Sequence, residues 1–122
     1  MGTVRTHKDL VAWQEAMRLV ELVYRHTAHF PKDEIYGLSV QMRRSAVSVP
    51  SNIAEGAGRN TTGELAQSLG IASGSLAELE TQLELVARLG LGAIDADCAR
   101  QVSRVGKLLV GLRNSILKRG GV

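Results

Sequence analysis

The run Leu65-Ala-Gln-Ser-Leu69-Gly-Ile-Ala72-Ser-Gly-Ser-Leu76-Ala-Glu-Leu79-Glu-Thr-Gln-Leu83-Glu-Leu-Val86 decides the fold class. Leu65, Leu69, Ala72, Leu76, Leu79, Leu83 and Val86 keep a 4-3 spacing, which places them on one stripe of an α-helix. Beside the stripe runs a row of small residues: Ala66, Gly70, Gly74 and Ala77. Each interior glycine costs a helix about 1 kcal/mol against alanine. Close packing of another backbone at Gly70 and Gly74 is the expected compensation. The spacing predicts a helix over 61–89, capped by Thr61 or Thr62 and ended at Gly90-Leu91-Gly92.

The preceding segment, 34–57, sets Leu38, Met42, Ser45, Val49 and Asn52 in one seam, with Asp33 as the expected cap. Pro50 lies inside it, removing an amide donor and freeing the carbonyl of Ala46. Because Ile53 continues the stripe of Ser39 and Ala46, a bend is expected rather than a break. Gly56-Ala57-Gly58 is expected to stop this helix. A first helix is predicted over 7–29, with Thr6 and Asp9 in a capping arrangement. Its seam is Leu10, Trp13, Met17, Val20, Tyr24 and Thr27, flanked by Ala12, Ala16, Leu19 and Val23. A fourth helix over 95–119 carries Cys98, Val102, Val105, Leu109, Leu112 and Ile116 behind an Asp95 cap. Four helices with short connections predict an all-α, antiparallel up-down-up-down four-helix bundle, a single domain over 1–122.

Composition agrees with that reading. At 122 residues, with 44% hydrophobic and 22% charged, the chain can build a real core without disulfides. Aromatics at 3% and only two prolines disfavour strand-rich folds. The single Cys98 excludes an internal disulfide and a cysteine-based zinc site, and suits a reducing cytosol. No apolar run reaches a membrane span, and the charged N-terminus lacks the apolar stretch of a signal peptide. Met1-Gly2 opens a loose N-myristoylation pattern. The net charge of +3 permits nucleic-acid contact without demanding it.

Three stretches carry a family resemblance: His7-Lys-Asp-Leu-Val-Ala-Trp-Gln14, Tyr36-Gly-Leu-Ser-Val-Gln-Met-Arg-Arg-Ser-Ala-Val-Ser-Val-Pro-Ser-Asn-Ile-Ala-Glu-Gly56, and Ile71-Ala-Ser-Gly-Ser-Leu-Ala-Glu-Leu-Glu-Thr-Gln-Leu83. They resemble four-helix bundle proteins first named for open reading frames inside intervening sequences of 23S rRNA genes. The resemblance spans about residues 7–117, and the block from Ser48 to Gly56 is its most specific part. His7 departs from it, since the family usually has Phe there. The resemblance implies a bacterial, cytoplasmic bundle assembled as a closed ring, typically of five subunits. A related branch, the accessory protein of diversity-generating retroelements, binds nucleic acid and reverse transcriptase. For most members the resemblance implies no activity.

No constellation for catalysis stands out. A di-iron bundle site needs Glu-x-x-His motifs from two helices, yet His7, His26 and His29 all fall on or beside the first. No nucleophile has a general base at a familiar spacing, and Cys98 reads as a core residue. Hence no enzyme, metal or cofactor is expected. Ser48, Asn52 and Glu55 share one face of the second helix. They suit either a polar small-ligand pocket or a structural repair of the backbone near Pro50, with Glu55 pairing a basic residue on another helix or subunit. From Cys98 to Arg119 there are six basic residues and no acidic one. Arg100, Arg104, Lys107 and Lys118 face outward together along about 27 Å of helix. That stripe suits sequence-independent phosphate contact, with Arg43, Arg44 and Arg59 as second contacts.

The sequence also holds more apolar rows than one seam needs: Leu19, Leu22 and Val23, then Val40 and Val47, then Leu108, Val110 and Leu117. Such a surplus predicts a homo-oligomer, and the resemblance makes it a pentamer. The expected function is a non-enzymatic, ring-forming bundle whose basic face docks RNA, DNA or a nucleic-acid enzyme. A pure protein-interaction scaffold and a small-ligand sensor are the rivals. No membrane partner is expected.

Overall fold

The computed structural model describes residues 6–34, 37–93 and 95–120, so the Met1-Gly2 pattern lies outside the described residues. Four helices carry the fold: α1 Val11–Thr27, α2 Leu38–Ala57, α3 Thr62–Arg88 and α4 Ala96–Gly120. Among the described residues there is no strand. Packing runs in a cycle, with α2 against α1 and α3, and α4 against α3 and α1.

The first helix is shorter than 7–29. Thr6 and Asp9 do form a capping box, but it closes a separate 3-10 turn, His7–Asp9. Leu10 is then extended at φ −78°, ψ 126°, and α1 starts only at Val11. Asp33 is not the cap of α2: it sits in a second 3-10 turn, Lys32–Glu34. The second helix therefore begins at Leu38 behind Gly37, which offers no side-chain cap. Thr61 and Asp95 do act as caps, accepting from the amides of Glu64 at 3.1 Å and Cys98 at 2.9 Å. Gly90 ends α3 region by taking φ 72°, a conformation that L side chains rarely adopt.

Pro50 is buried inside α2, which continues unbroken to Ala57. Next to it Asn52 donates to the carbonyl of Ser48 at 2.8 Å rather than to that of Ala46. The helix stops within Gly56-Ala57-Gly58 as expected, ending at Ala57 with Gly58 as its C-cap. Gly56 has a second use: it is buried in the last turn of α2, and a Cβ there would lie 2.7 Å from the Cβ of Ser68 and 2.9 Å from Cδ1 of Leu65. Only glycine lets α2 and α3 come this close. Their pairings run in opposite senses: Ser48 meets Ser75, and Gly56, further along α2, meets Ser68.

The core is an aliphatic column with Leu19, Met42, Ile53, Leu69, Leu79 and Leu109 fully buried. Cys98 joins it, and burial followed by the nearby Asp95 carboxylate pushes its thiol up to about 12. The seam expected on α3 is buried from Leu69 to Val86, with Leu65 half-buried at its start. On α1 the two stripes exchange roles. Ala12, Ala16, Leu19, Val23 and Thr27 face the core, whereas Met17 and Tyr24 are exposed and Trp13 and Val20 half-buried. Two alanines bring α1 close to its neighbours, while Trp and Tyr keep a polar tip near water.

Candidate functional site

Of the four basic residues expected to form a stripe on α4, two are engaged within the chain. Arg100, Arg104, Lys107 and Lys118 are all exposed. Arg100 pairs with Asp97 one turn earlier. Arg104 Nε donates to Glu15 Oε1 at 2.9 Å, and Gln101 Nε2 donates to the same oxygen at 2.9 Å and to the Glu15 carbonyl at 2.8 Å. These bonds tie α4 to α1. The Gln101 bond, then the Arg104 guanidinium, hold the Glu15 carboxyl below its usual range. Lys107 and Lys118 have no ion pair among the described residues.

The second contacts divide in the same way. Arg43 lies over the Tyr24 ring at 4.5 Å, while its Nε donates to Thr27 Oγ1 at 2.8 Å. It therefore clamps α2 to α1. Arg59 pairs with Glu55 at 2.8 Å on a solvent-exposed turn, so Glu55 finds its base at the end of its own helix and not on another one. Arg44 is exposed and has no ion pair among the described residues.

Ser48 and Asn52 turn toward α3. Asn52 Nδ2 donates to Ser48 Oγ at 3.0 Å, and Ser48 Oγ shares a 2.7 Å hydrogen bond with Ser75 Oγ. These bonds link the three side chains across the helix pair. Gly70 and Gly74 are exposed. The nearest atom to a Cβ on Gly70 is Arg113 Nε at 4.0 Å, and a Cβ on Gly74 would meet nothing within 4 Å. Within the chain it is Gly56 that admits a close neighbour.

The three histidines have separate surroundings. His7 meets the edge of the Trp13 ring at 5.1 Å, supplying an aromatic contact that anchors the opening turn. His26 is half-buried against Phe30, its Nδ1 3.9 Å from Asp95 and its buried Nε2 without a partner. His29 is exposed. Among the described residues no three His, Cys, Asp or Glu side chains gather as a metal site.

Two surface features escaped the sequence. Met17 is 42% exposed, Tyr24 43% and Val47 40%, so the outer edge of α1 and α2 presents bulky apolar side chains to solvent. With Trp13, Val20, Pro50 and Val40 they border two notches of about 280 and 510 Å³. Between α3 and α4 runs an open groove of about 630 Å³, floored by Leu76, Val102 and Gly106 and edged by Ala77, Glu80, Lys107 and Val110. Val110 is 58% exposed. Both stripes on α1 had helical spacing, so spacing alone could not say which one faced inward.

The family model for the 23S rRNA-intervening sequence protein matches residues 8–111. The chain belongs to this family. No curated protein matches it. The match covers α1 to α3 entirely and α4 as far as Gly111, so both the apolar edge and the groove lie inside the family's domain. Among the described residues of this family member, no helix is long and apolar enough to cross a membrane.

Chemically, the surface offers two kinds of contact. One is apolar, from the α1/α2 edge and the α3/α4 groove. The other is cationic, from Arg44, Lys107 and Lys118.

Proposed function

We propose that this chain is a non-enzymatic, self-associating scaffold. The opposed pairings of α2 and α3 support an antiparallel up-down-up-down bundle as its subunit. The carrying observation is the exposed apolar edge formed by Met17, Tyr24 and Val47. Contiguous apolar surface rimmed by polar residues marks an interaction site on a folded protein. The rows expected to drive association change accordingly: Leu19 and Val23 are fully buried and unavailable, whereas Val47, Val110 and Leu117 are exposed. A cyclic pentamer in a bacterial cytoplasm is the form that the family resemblance implies. Sedimentation equilibrium at tens of micromolar should return a multiple of 13.1 kDa, and a mass of 13.1 kDa alone would refute the reading.

A second reading, docking of RNA, DNA or a nucleic-acid enzyme on the basic face, draws support from Arg44, Lys107 and Lys118, which are exposed without an ion pair among the described residues. Arg100, Arg104 and Arg59 would each have to exchange a carboxylate for a phosphate. The contact would be to the backbone and weak for one subunit, strengthened by repetition in an assembly. Fluorescence anisotropy with a generic duplex tests it. Affinity should fall steeply between about 50 and 200 mM salt, and R44E/K107E/K118E should abolish it. No binding by the parent at low salt would leave the scaffold alone. The small-ligand reading has the least support, because the Ser48 and Ser75 hydroxyls and the Asn52 amide nitrogen are already bonded to one another and Glu55 is paired with Arg59.

A further inference from the structure

We propose that the α1/α2 edge of one chain docks into the α3/α4 groove of a second copy at the same level along the bundle, with Arg44 of one chain facing Glu80 of the next. This rests on the self-association proposed above and specifies its surfaces. The two features belong to opposite sides of the molecule, since α1 packs on α2 and α4, and α3 packs on those same two helices. One side is bulky, with Met17 and Val47 protruding. The other is hollow, because Ala77, Gly106 and Gly111 line the groove with almost no side chain.

Their heights agree. The 2.7 Å bond between Ser48 and Ser75 fixes one level across α2 and α3. Since their numbering runs in opposite senses, Val47 shares a level with Leu76, which floors the groove. Leu76 Cδ2 lies 3.4 Å from where a Cβ on Gly106 would stand, which sets Gly106 of α4 beside Leu76 at that height. Five residues from the serine pair, about 7.5 Å further along both helices, stand Arg43 and Glu80. Arg44 is one residue from that level. Both Arg44 and Glu80 are exposed, and neither has an ion pair among the described residues.

A rotation about an axis parallel to the bundle, without translation, joins features that share a level. It would set the ridge into the groove and the basic corner beside Glu80, with Glu78 and Glu84 on the same helix. A level-preserving two-fold would instead bring Arg43 and Arg44 against their own copies and leave both grooves empty. Charge and shape therefore select the head-to-tail contact over the face-to-face one.

Cross-linking of the full-length chain tests this. V47C chains and A77C chains, distinguished by tag mass, are mixed and oxidised; Cys98 is buried and takes no part. Mixed pairs should exceed like pairs by about tenfold, and R44E or E80R alone should weaken assembly about tenfold while R44E/E80R restores it. Predominant V47C–V47C pairs, or no cross-link in a parent that sediments as an assembly, would overturn the proposed faces while leaving self-association intact. Additive losses in the double variant would overturn the Arg44–Glu80 contact. A parent that sediments as a monomer would overturn both the faces and the scaffold reading.

Discussion

Between α2 and α3, groups near the middle and the far end of the pair meet inside the chain: Gly56 closes on Ser68, Ser48 bonds to Ser75, and Asn52 bonds to Ser48. On the α1 side of α2, Val47 and the neighbouring Met17 expose apolar surface to solvent, beside Tyr24, whose ring carries Arg43 on one face. The same helix thus has one finished side and one open side. A finished side resists any change of volume, because its neighbours already touch. An open side tolerates substitution in the isolated chain and reports only through what docks there. Stability measurements should therefore discriminate the two, and assembly measurements should do so in reverse.

The largest stability effect is expected on the finished side. Gly56→Leu drives new atoms into Ser68 and Leu65 and should destabilise by about 3 kcal/mol in chemical denaturation. Gly74→Ala, with nothing within 4 Å, should stabilise by up to about 1 kcal/mol through helix propensity. Equal effects at the two glycines would erase the contrast. Next in size, Asn52→Ala removes the bonds to Ser48 and should cost about 1 kcal/mol, read from the denaturation midpoint.

A smaller effect concerns Cys98, which sits between the finished core and the Asp95 cap. Its thiol is pushed from an ordinary 9.0 to about 12, so the folded state disfavours the thiolate. The unfolded chain ionises first as pH rises. Stability from this group is full below pH 9.0 and falls as pH climbs toward about 12. Urea titrations across that range should show the slope in the parent and its loss in Cys98→Ala. The smallest effect belongs to Glu15, whose carboxyl is held below its usual 4.5 by Gln101 and Arg104. Its contribution is present above pH 4.5 and fades as the solution is acidified through the lowered folded value. Glu15→Gln should flatten that acid limb and change neutral stability by less than about 1 kcal/mol.

The helices were legible because their core positions repeat at helical spacing, and Thr61 and Asp95 cap as their residue types suggest. What escaped were decisions between equivalent patterns. Trp13, Met17 and Tyr24 keep the same spacing as Ala16, Leu19 and Val23, and only packing against α2 and α4 selects the second set. The small-residue row drew attention to Gly70 and Gly74, yet the close approach occurs at Gly56, which the sequence marked only as part of the helix stop. A glycine's use depends on what lies opposite, which is a tertiary fact. For the candidate site, outward direction of the basic stripe was readable, but not that Glu15 would bond to Arg104 across 89 positions of chain. The hollow groove on α3 and α4 was likewise hidden, since it is made by two helices jointly.

The account turns on the open side of α2 and α1 needing a second copy. Sedimentation velocity on the parent and on M17D/V47D, with circular dichroism on both, addresses this directly. Both positions are exposed, so the variant should keep its helicity. The parent should sediment as an assembly and the variant as a 13.1 kDa monomer. A variant that stays assembled, or a parent that never assembles, would contradict the account.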